Sequence, residues 1–241
     1  MNDNCVIIFT KAPIPSLVKT RLVDKSSLNV EQATELYEAF LMDVVDTANR
    51  YVVENNFDLV ISYTPQKGLN TIKELVYRLK KPINISHFNL QDGDTFDRRM
   101  SNAFLKAFDA GYQNCVAIGG DIPTLRNEHL ESSFEILQNP KYFGEKVIVI
   151  GPGNDGGVYL IGLRENTNFN FRGVFQKRGE IDISLSEITE RANLMSIKLF
   201  EIDTHYDVDV PEDLKKLKIE LSKNPELAPH TRNKLREFNL A

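Results

Sequence analysis

The segment Val116-Ala117-Ile118-Gly119-Gly120-Asp121-Ile122-Pro123-Thr124-Leu125 decides the fold of this chain. Its apolar start predicts a buried strand, and Pro123 prevents that strand from continuing. Asp121 then lies at the carboxyl end of the strand, which is where open α/β sheets bind their ligands. The two glycines allow another backbone or a ligand to approach closely. We therefore predict a ligand-binding carboxylate at Asp121, and the alternative is a plain strand-to-helix turn in which Asp121 caps the next helix.

Strand and helix patterns alternate along most of the chain on both sides of this segment. Strands are predicted at residues 5–10, 57–63, 83–88, around 116, 146–150, 158–163 and 196–202. Helices are predicted at residues 29–55, 69–79, 98–112, 127–137, 182–193 and from Pro211 onward, the first of them with a capping box formed by Asn29 and Gln32. This alternation predicts a single α/β domain with a mostly parallel twisted sheet and helices on both faces. We expect that domain to cover residues 1–222, followed by a charged helical tail at residues 223–241.

Composition excludes several classes of function. The chain has 241 residues, of which 41% are hydrophobic and 26% charged, and this is typical of a soluble globular protein. A net charge of -5 argues against nucleic-acid binding as the main function. No stretch approaches the roughly 18 to 20 apolar residues that span a bilayer. Cys5 and Cys115 each begin a predicted strand, so we expect reduced core thiols in a cytoplasmic protein.

The loop after the first strand, residues 11–22, is stiffened by prolines and contains no glycine. It therefore matches neither a dinucleotide-binding turn nor a P-loop, both of which need glycines. It does carry three cations, Lys11, Lys19 and Arg21, at the carboxyl end of the strand. Cations in this position are suited to a diphosphate or triphosphate, and the alternative is a solvated basic loop.

A second polar cluster, His205-Tyr206-Asp207-Val208-Asp209, follows the last predicted strand. Alternate side chains of an extended segment share a face, so His205, Asp207 and Asp209 are expected to converge. Carboxylates are the ligands that Mg²⁺ and Mn²⁺ prefer. The alternatives are that Asp209 caps the helix at Pro211 and that His205 is a hydrogen-bonded structural residue.

Two glycine-bearing segments complete the set of candidates. Gln91 and Gly93 follow the third strand, where the Gln91 amide offers a base edge both a donor and an acceptor. The alternative for this segment is a surface loop capped by Asp97. Residues 151–162 contain five glycines around Asp155, which is more than a hairpin needs and indicates backbone lying against a ligand.

Four ordered motifs then carry a family resemblance. They are F-T-K-A-P-x-P-x-x-V-K-T-R-L at 9–22, G-x-D-x-P-T-L at 119–125, G-P-x-x-D-G-G-x-Y-L-I-G at 151–162 and D-V-D-x-P-E-D-L at 207–214. Together they resemble a small, largely uncharacterised microbial transferase family of the GT-A, or nucleotide-diphospho-sugar transferase-like, fold. Its relatives include the molybdenum-cofactor guanylyltransferase type and 2-phospholactate guanylyltransferase.

The resemblance implies a role for each matching residue. It implies that Asp121, with Asp207 or Asp209, binds a divalent metal. Lys11, Lys19 and Arg21 would bind phosphates, Gly120 would line the nucleotide site, and Gln91 and Gly93 would contact the base. The acceptor side would be lined by Asp155, Gly156 and Gly157. Arg172, Lys177 and Arg178 are cations that could also lie there and hold an anionic acceptor. Lys19, Arg21 and Asp121 are the expected catalytic residues.

Our hypothesis from the sequence is a metal-dependent transferase. It would use Mg²⁺ or Mn²⁺ and a nucleoside triphosphate or nucleotide-sugar donor, and it would transfer a nucleotidyl or glycosyl group to a small-molecule acceptor. We expect no nucleic-acid partner and no membrane span, and a homodimer is left open. The alternative is a catalytically silent domain that binds a nucleotide or a protein partner.

Overall fold

The computed structural model describes residues 2–79, 81–179 and 181–240. The strands formed by these residues are β1 (Asn4–Lys11), β2 (Asp58–Thr64), β3 (Ile85–Leu90), β4 (Asn114–Gly119), β5 (Val147–Pro152), β6 (Val158–Arg164), β7 (Lys177–Arg178), β8 (Ile181–Asp182) and β9 (Lys198–Glu201). The helices are α1 (Thr20–Lys25), α2 (Val30–Asn55), α3 (Leu69–Arg78), α4 (Phe96–Asp109), α5 (Asn127–Leu137), α6 (Ser184–Leu194), α7 (Pro211–Lys223) and α8 (Pro229–Glu237).

Seven of the described strands form one sheet in the order β3-β2-β1-β4-β6-β5-β9. Strand β1 is parallel to both of its neighbours, β2 and β4. Strand β3 is parallel to β2, and β9 is parallel to β5. Strand β6 is antiparallel to both β4 and β5, and Leu160 of β6 pairs with Ile118 of β4. The predicted α/β fold with a mostly parallel sheet is therefore confirmed. The reversal of β6 brings the β5–β6 turn to the edge of the sheet where β1 and β4 end.

Local sequence explains where the helices around this edge begin. The α2 capping box is present as predicted, because Asn29 Oδ1 accepts from the Gln32 backbone N–H at 2.8 Å and Gln32 Oε1 accepts from the Asn29 N–H at 3.1 Å. At α7 the cap is Val210, and Asp213 accepts from the N–H groups of Asp209 and Val210. The alternative in which Asp209 caps this helix is therefore wrong, and the Asp209 side chain points elsewhere.

Two apolar layers cover the sheet. Strand β1 supplies both of them, because Val6 and Ile8 face one side and Ile7 faces the other, all at 1% exposure or less. Cys5 and Cys115 are neighbours across β1 and β4, and both are buried free thiols, as predicted. A dry core on both faces fixes the strand ends, and with them the loops at the sheet edge.

Several elements differ from the sequence prediction. The six-residue helix α1 and the two-residue strands β7 and β8 are not predicted. The helix predicted at 182–193 begins at Ser184 because Asp182 belongs to β8. The helix predicted at 98–112 is α4, which begins earlier, after the Thr95 cap. The elements that were predicted begin and end within a few residues of their predicted bounds, as propensity patterns allow.

The C-terminal tail packs against α2 through α8. Thr231 and Leu235 of α8 are buried, and the Asp43 carboxylate of α2 accepts from the N–H groups of His230 at 3.0 Å and Thr231 at 2.8 Å. His230 Nε2 also lies 3.2 Å from Asp46 Oδ2. The expected division at residue 222 remains a prediction, but the tail contributes to an apolar cluster shared with α2.

We expect this attachment of α8 to weaken as the pH rises from 5 to 8. Burial raises the pKa of Asp43 to about 6, and the hydrogen bond to Asp46 raises the pKa of His230. Both groups hold a proton more firmly in the folded state, so the free energy of unfolding falls as each one loses it. The pKa of Asp46 is lowered despite its burial, by His230 and Lys81, but it titrates below this pH range.

Urea unfolding at pH 5, 6, 7 and 8 measures this effect. Asp43 alone contributes a slope of at most about 1.4 kcal/mol per pH unit, concentrated below pH 6. Asp43→Asn and His230→Gln remove one titration each, so each variant should lose less stability than the wild type over this range. Equal pH slopes in all three proteins would contradict the assignment.

Candidate functional site

A cavity of about 630 Å³ opens at the edge of the sheet where β1 and β4 end. It brings together most of the residues predicted from the sequence. Those in its wall are Lys11, Lys19, Arg21, Gln91, Gly120, Asp121, Asp155, Gly157, Asp207 and Asp209. Gly93, Gly156 and Arg172 are described by the structure but do not belong to the wall. The roles of all these residues remain predictions, and the geometry shows what each could do.

The centre of the cavity is a buried ion-pair network. The Lys19 ammonium, on a side chain only 3% exposed, lies 2.8 Å from Asp121 Oδ2 and 3.7 Å from Asp209 Oδ1. Arg21 Nη1 donates to Asp209 Oδ2 at 2.6 Å. Burial alone would lower the pKa of Lys19, but the two carboxylates raise it well above its ordinary value. Lys19 is therefore a permanent buried cation between two acids that come from distant parts of the chain.

Asp207 adds a third carboxylate to this network. Burial, and then the neighbouring Asp121 carboxylate, raises the pKa of Asp207 to about 7, against the opposing effect of Lys19. Asp209 behaves differently, because Lys19 and Arg21 lower its pKa despite its burial. An added cation would stabilise the ionised form of a carboxylate that burial and neighbouring carboxylates make hard to ionise.

The donor set fits a divalent cation of the Mg²⁺ type. Mg²⁺ prefers oxygen ligands, and it usually takes one or two carboxylates from the protein with substrate phosphates completing its shell. Within the described ranges, no three His, Cys, Asp or Glu side chains already form a complete metal site. The protein would therefore supply only part of the coordination shell, from Asp121 with Asp207 or Asp209.

The backbone places Lys19 in this position at a local cost. Lys19 precedes α1 with φ 50° and ψ 33°, in the left-handed region that non-glycine residues rarely adopt. Its Nζ lies 5.6 Å from the centre of the Tyr37 ring, and the Tyr37 hydroxyl shares a 2.6 Å hydrogen bond with Thr10 Oγ1. Neither Thr10 nor Tyr37 is singled out by the sequence, because only the fold brings α2 under the end of β1.

Gly120 is required by the same packing. A Cβ atom on Gly120 would lie 2.3 Å from Thr10 Oγ1, so no larger residue fits between β4 and β1. The atoms that approach Gly120 closely belong to the side chains of Thr10 and Leu41, so the predicted approach of another backbone or a ligand stays a prediction.

Gln91 is bound to the sheet rather than open to a ligand. Its side-chain nitrogen donates to the carbonyls of Thr10 at 3.0 Å and Ser62 at 2.9 Å. Both amide N–H groups are therefore engaged, and Oε1 is the atom left for a base. The predicted pairing of a donor and an acceptor from Gln91 is not available in this arrangement.

His205 does not join the acids, in contrast to the predicted convergence. Its Nε2 lies 3.0 Å from Thr124 Oγ1, and its ring packs against Tyr159 and His129. Burial lowers its pKa to about 3, so the ring is neutral. The alternative of a hydrogen-bonded structural histidine is confirmed.

The far wall of the cavity is built from the β5–β6 turn and the β7–β8 hairpin. Asp155 Oδ1 accepts from the Gly157 N–H at 3.0 Å, and Lys177 pairs with Asp182 across the hairpin. Asp182 and Ser184 belong to the cavity wall although the sequence analysis does not single them out. Arg178 points toward Glu187 at 3.7 Å, which leaves Lys177 as the cation of this loop that faces the cavity.

Comparison with known proteins now places the chain. Residues 47–177, more than half of its length, match the family described as uncharacterized protein conserved in bacteria (DUF2064). The chain belongs to this family. A search of curated protein sequences finds no match.

Solved structures agree with the fold. A candidate nucleotide-diphospho-sugar transferase from Desulfovibrio desulfuricans G20 is 30% identical, with a TM-score of 0.81 over 99% of this chain and 96% of that one. CMP:2-keto-3-deoxy-manno-octonic acid synthetase complexed with CTP is 11% identical, with a TM-score of 0.52 over 92% and 99% of the two chains. The 4-diphosphocytidyl-2C-methyl-D-erythritol synthase of Anaerococcus prevotii DSM 20548 is 13% identical, with a TM-score of 0.55 over 91% and 97%. The fold is therefore that of the nucleotide-diphospho-sugar transferases, and these neighbours support a transferase.

The helices of this member of the family are all shorter or more polar than a bilayer crossing needs, within the described parts of the chain.

We expect Gly156→Ala to disturb the far wall of the cavity. Gly156 has φ 90°, and an added Cβ would lie 2.3 Å from the Asp182 carbonyl oxygen. The substitution must therefore strain the backbone and push β8 away from the turn. We expect a loss of about 1–2 kcal/mol from the left-handed conformation alone, and more from the clash.

Gly144→Ala is the matched control, because Gly144 has φ 77° and no atom lies within 4 Å of the added Cβ. Chemical unfolding of both variants separates strain from clash. An equal loss of stability in the two variants would show that the clash with the Asp182 carbonyl adds nothing to the cost of Gly156→Ala.

Proposed function

We propose that this chain is a metal-dependent transferase that uses a nucleotide donor and a small-molecule acceptor. The observation that carries the proposal is the buried Lys19 ammonium between Asp121 and Asp209, with Arg21 beside it. Such a set of fixed cations and carboxylates is suited to a polyphosphate, whose charge shifts as one of its bonds breaks.

The phosphates would be held by the chain's own cations. Lys11 at the end of β1, Lys19 before α1 and Arg21 in the first turn of α1 line the same cavity, where they would stabilise a departing pyrophosphate or nucleoside diphosphate. A divalent ion held by Asp121, with Asp209 or Asp207, would neutralise phosphate charge and orient the donor. Positioning and electrostatics would supply most of the rate enhancement.

The base and the transferred group are the finer parts of the proposal. Two structures of the same fold are cytidine nucleotide enzymes by name, and one of them is complexed with CTP. The more similar structure is named for nucleotide-diphospho-sugar transfer. The sequence resembles guanylyltransferases. We therefore propose CTP, GTP and the corresponding nucleotide-sugars as the donors to test first.

The acceptor would enter beside the far wall. Asp155 and Asp182 line the cavity there. An in-line displacement would require the acceptor to reach the transferred group from the side away from the leaving group.

The test is a thermal-shift screen of nucleotides with and without Mg²⁺ or Mn²⁺, followed by product analysis. A ligand present at 100 times its Kd adds about 2.7 kcal/mol of stability. Pyrophosphate release in the presence of an acceptor extract would support nucleotidyl transfer, and nucleoside diphosphate release would support glycosyl transfer.

The rival hypothesis of a catalytically silent binding domain predicts a different result. It predicts nucleotide stabilisation that is the same with and without a divalent metal and that survives Asp121→Asn. No stabilisation by any nucleotide under any metal condition would contradict the proposed function.

A further inference from the structure

The segment between β6 and the β7–β8 hairpin is hydrogen-bonded to α4 through the Asp97 carboxylate. Asp97, in the first turn of α4, accepts from the Gly173 N–H through Oδ2 at 2.6 Å and from the Phe175 N–H through Oδ1 at 3.3 Å. Gly173 has φ 76°, which turns its N–H toward the same carboxylate as that of Phe175. Two amides converging on one anion are a strong, charge-assisted contact.

This contact leads directly into the cavity wall. Phe175 packs edge-on against Phe96 at 4.7 Å between ring centres, and Phe96 packs in the same way against Phe9 at 5.3 Å. Lys177 follows two residues after Phe175 and faces the cavity. Its charge is close enough to lower the pKa of Asp209. The position of Lys177 thus depends on a turn that Asp97 holds.

From the sequence, the alternative for this segment is a plain surface loop in which Asp97 caps the helix that follows. The structure excludes that role, because Thr95 is the cap of α4 and its side chain accepts from the Arg98 N–H. Both Asp97 oxygens are instead used on a segment 76 and 78 residues away.

We propose that Asp97 is a positioning residue of this site, which holds Lys177 against the phosphate end of the bound donor. The inference rests on the proposed function for the nature of the ligand. Lys177 would then contact the donor phosphates from the β7–β8 hairpin, in addition to Lys11, Lys19 and Arg21. Asp97 touches no substrate and acts through the backbone of Gly173 and Phe175.

A double-mutant cycle on pyrophosphate binding tests this. The Kd of pyrophosphate with Mg²⁺ is measured by calorimetry for the wild type, Asp97→Asn, Lys177→Gln and the double variant. We expect each single change to weaken binding about three- to fivefold, as for one exposed charge pair, and the double change to weaken it no further. Multiplied effects of the two changes would overturn the proposal, since they would show that Asp97 does not act through Lys177.

Two controls separate positioning from general loss of structure. Asp43→Asn disturbs another carboxylate that accepts two backbone N–H groups, but at α8, so it should lower the Tm and leave the Kd unchanged. Arg178→Gln removes the neighbouring cation, which points toward Glu187, and should also leave the Kd unchanged.

Hydrogen exchange tests whether Asp97 holds residues 173–178 in place, and it does so independently of nucleotide binding. Asp97→Asn should increase amide exchange within residues 173–178 and leave the cavity loop at 11–22 unchanged. If the wild type binds no pyrophosphate, the proposed function is contradicted, and the exchange data still decide whether Asp97 holds this segment. Unchanged exchange at 173–178 would overturn the positioning role.

Discussion

Asp121→Asn is expected to abolish metal-dependent nucleotide binding and to reduce turnover by at least about 10²–10³-fold, while the fold persists. The substitution keeps the shape of the side chain but removes the charge that pairs with Lys19 at 2.8 Å. It also removes one of the oxygen ligands that we propose for a divalent cation. Thermal shift with the donor, with and without Mg²⁺, measures binding, and circular dichroism checks the fold.

Asp109→Asn is the matched control for that change. Asp109 is exposed at the end of α4, near the start of β4 and therefore at the opposite edge of the sheet. It should behave as the wild type does. Metal-dependent stabilisation that survives in Asp121→Asn would contradict the proposed metal site and favour the silent binding domain.

Lys19→Met should have the second large effect, and the size of that effect depends on the metal. Methionine keeps the length and the backbone strain of Lys19 but leaves Asp121, Asp207 and Asp209 without their buried cation. We expect the metal-free protein to lose about 2–3 kcal/mol of stability, less than for a fully buried pair because the acids are partly exposed. Turnover should fall with it, since the buried ammonium proposed to stabilise the leaving group is lost.

A divalent cation should restore part of that stability, because it can take the place of the ammonium among the carboxylates. The measurement is the Tm of the wild type and of Lys19→Met across a Mn²⁺ titration, with Mn²⁺ binding followed by electron paramagnetic resonance. We expect the variant to bind Mn²⁺ more tightly than the wild type when no nucleotide is present.

Lys198→Met removes an exposed ion pair with Glu145 and should change stability by no more than about 1 kcal/mol at any Mn²⁺ concentration. Equal Mn²⁺ affinities in the wild type and in Lys19→Met would show that Lys19 does not compete for the metal position.

Features that depend on neighbouring residues were predictable from the sequence. The capping box of α2 and the bounds of α5 at Asn127–Leu137 follow from side chains three or four positions apart. The β5–β6 turn follows from the glycines around Asp155. The four motifs indicated the fold because they resemble, in the same order along the chain, the motifs of a family with the GT-A fold.

Contacts between distant residues were not predictable in this way. The Lys19–Asp121 pair joins residues 102 positions apart, and the Gln91 amide is consumed by carbonyls 81 and 29 positions away. Strands β7 and β8 have two residues each, too few for any periodicity, and their place is set by contact with Gly156. A pattern in sequence identifies which residues are polar at a strand end but not which partner each will take.

The antiparallel course of β6 has a consequence for how this protein can be altered. Both ends of the β5–β6 turn lie at the mouth of the cavity, and the two strands are joined to each other by their own ladder. A change of length in that turn would leave the register of the β5–β6 ladder unchanged, but it would act on β8, because Gly156 packs against the Asp182 carbonyl. The turn and β8 would therefore have to be redesigned together to alter the proposed acceptor side, while the Lys19–Asp121 pair stays where it is.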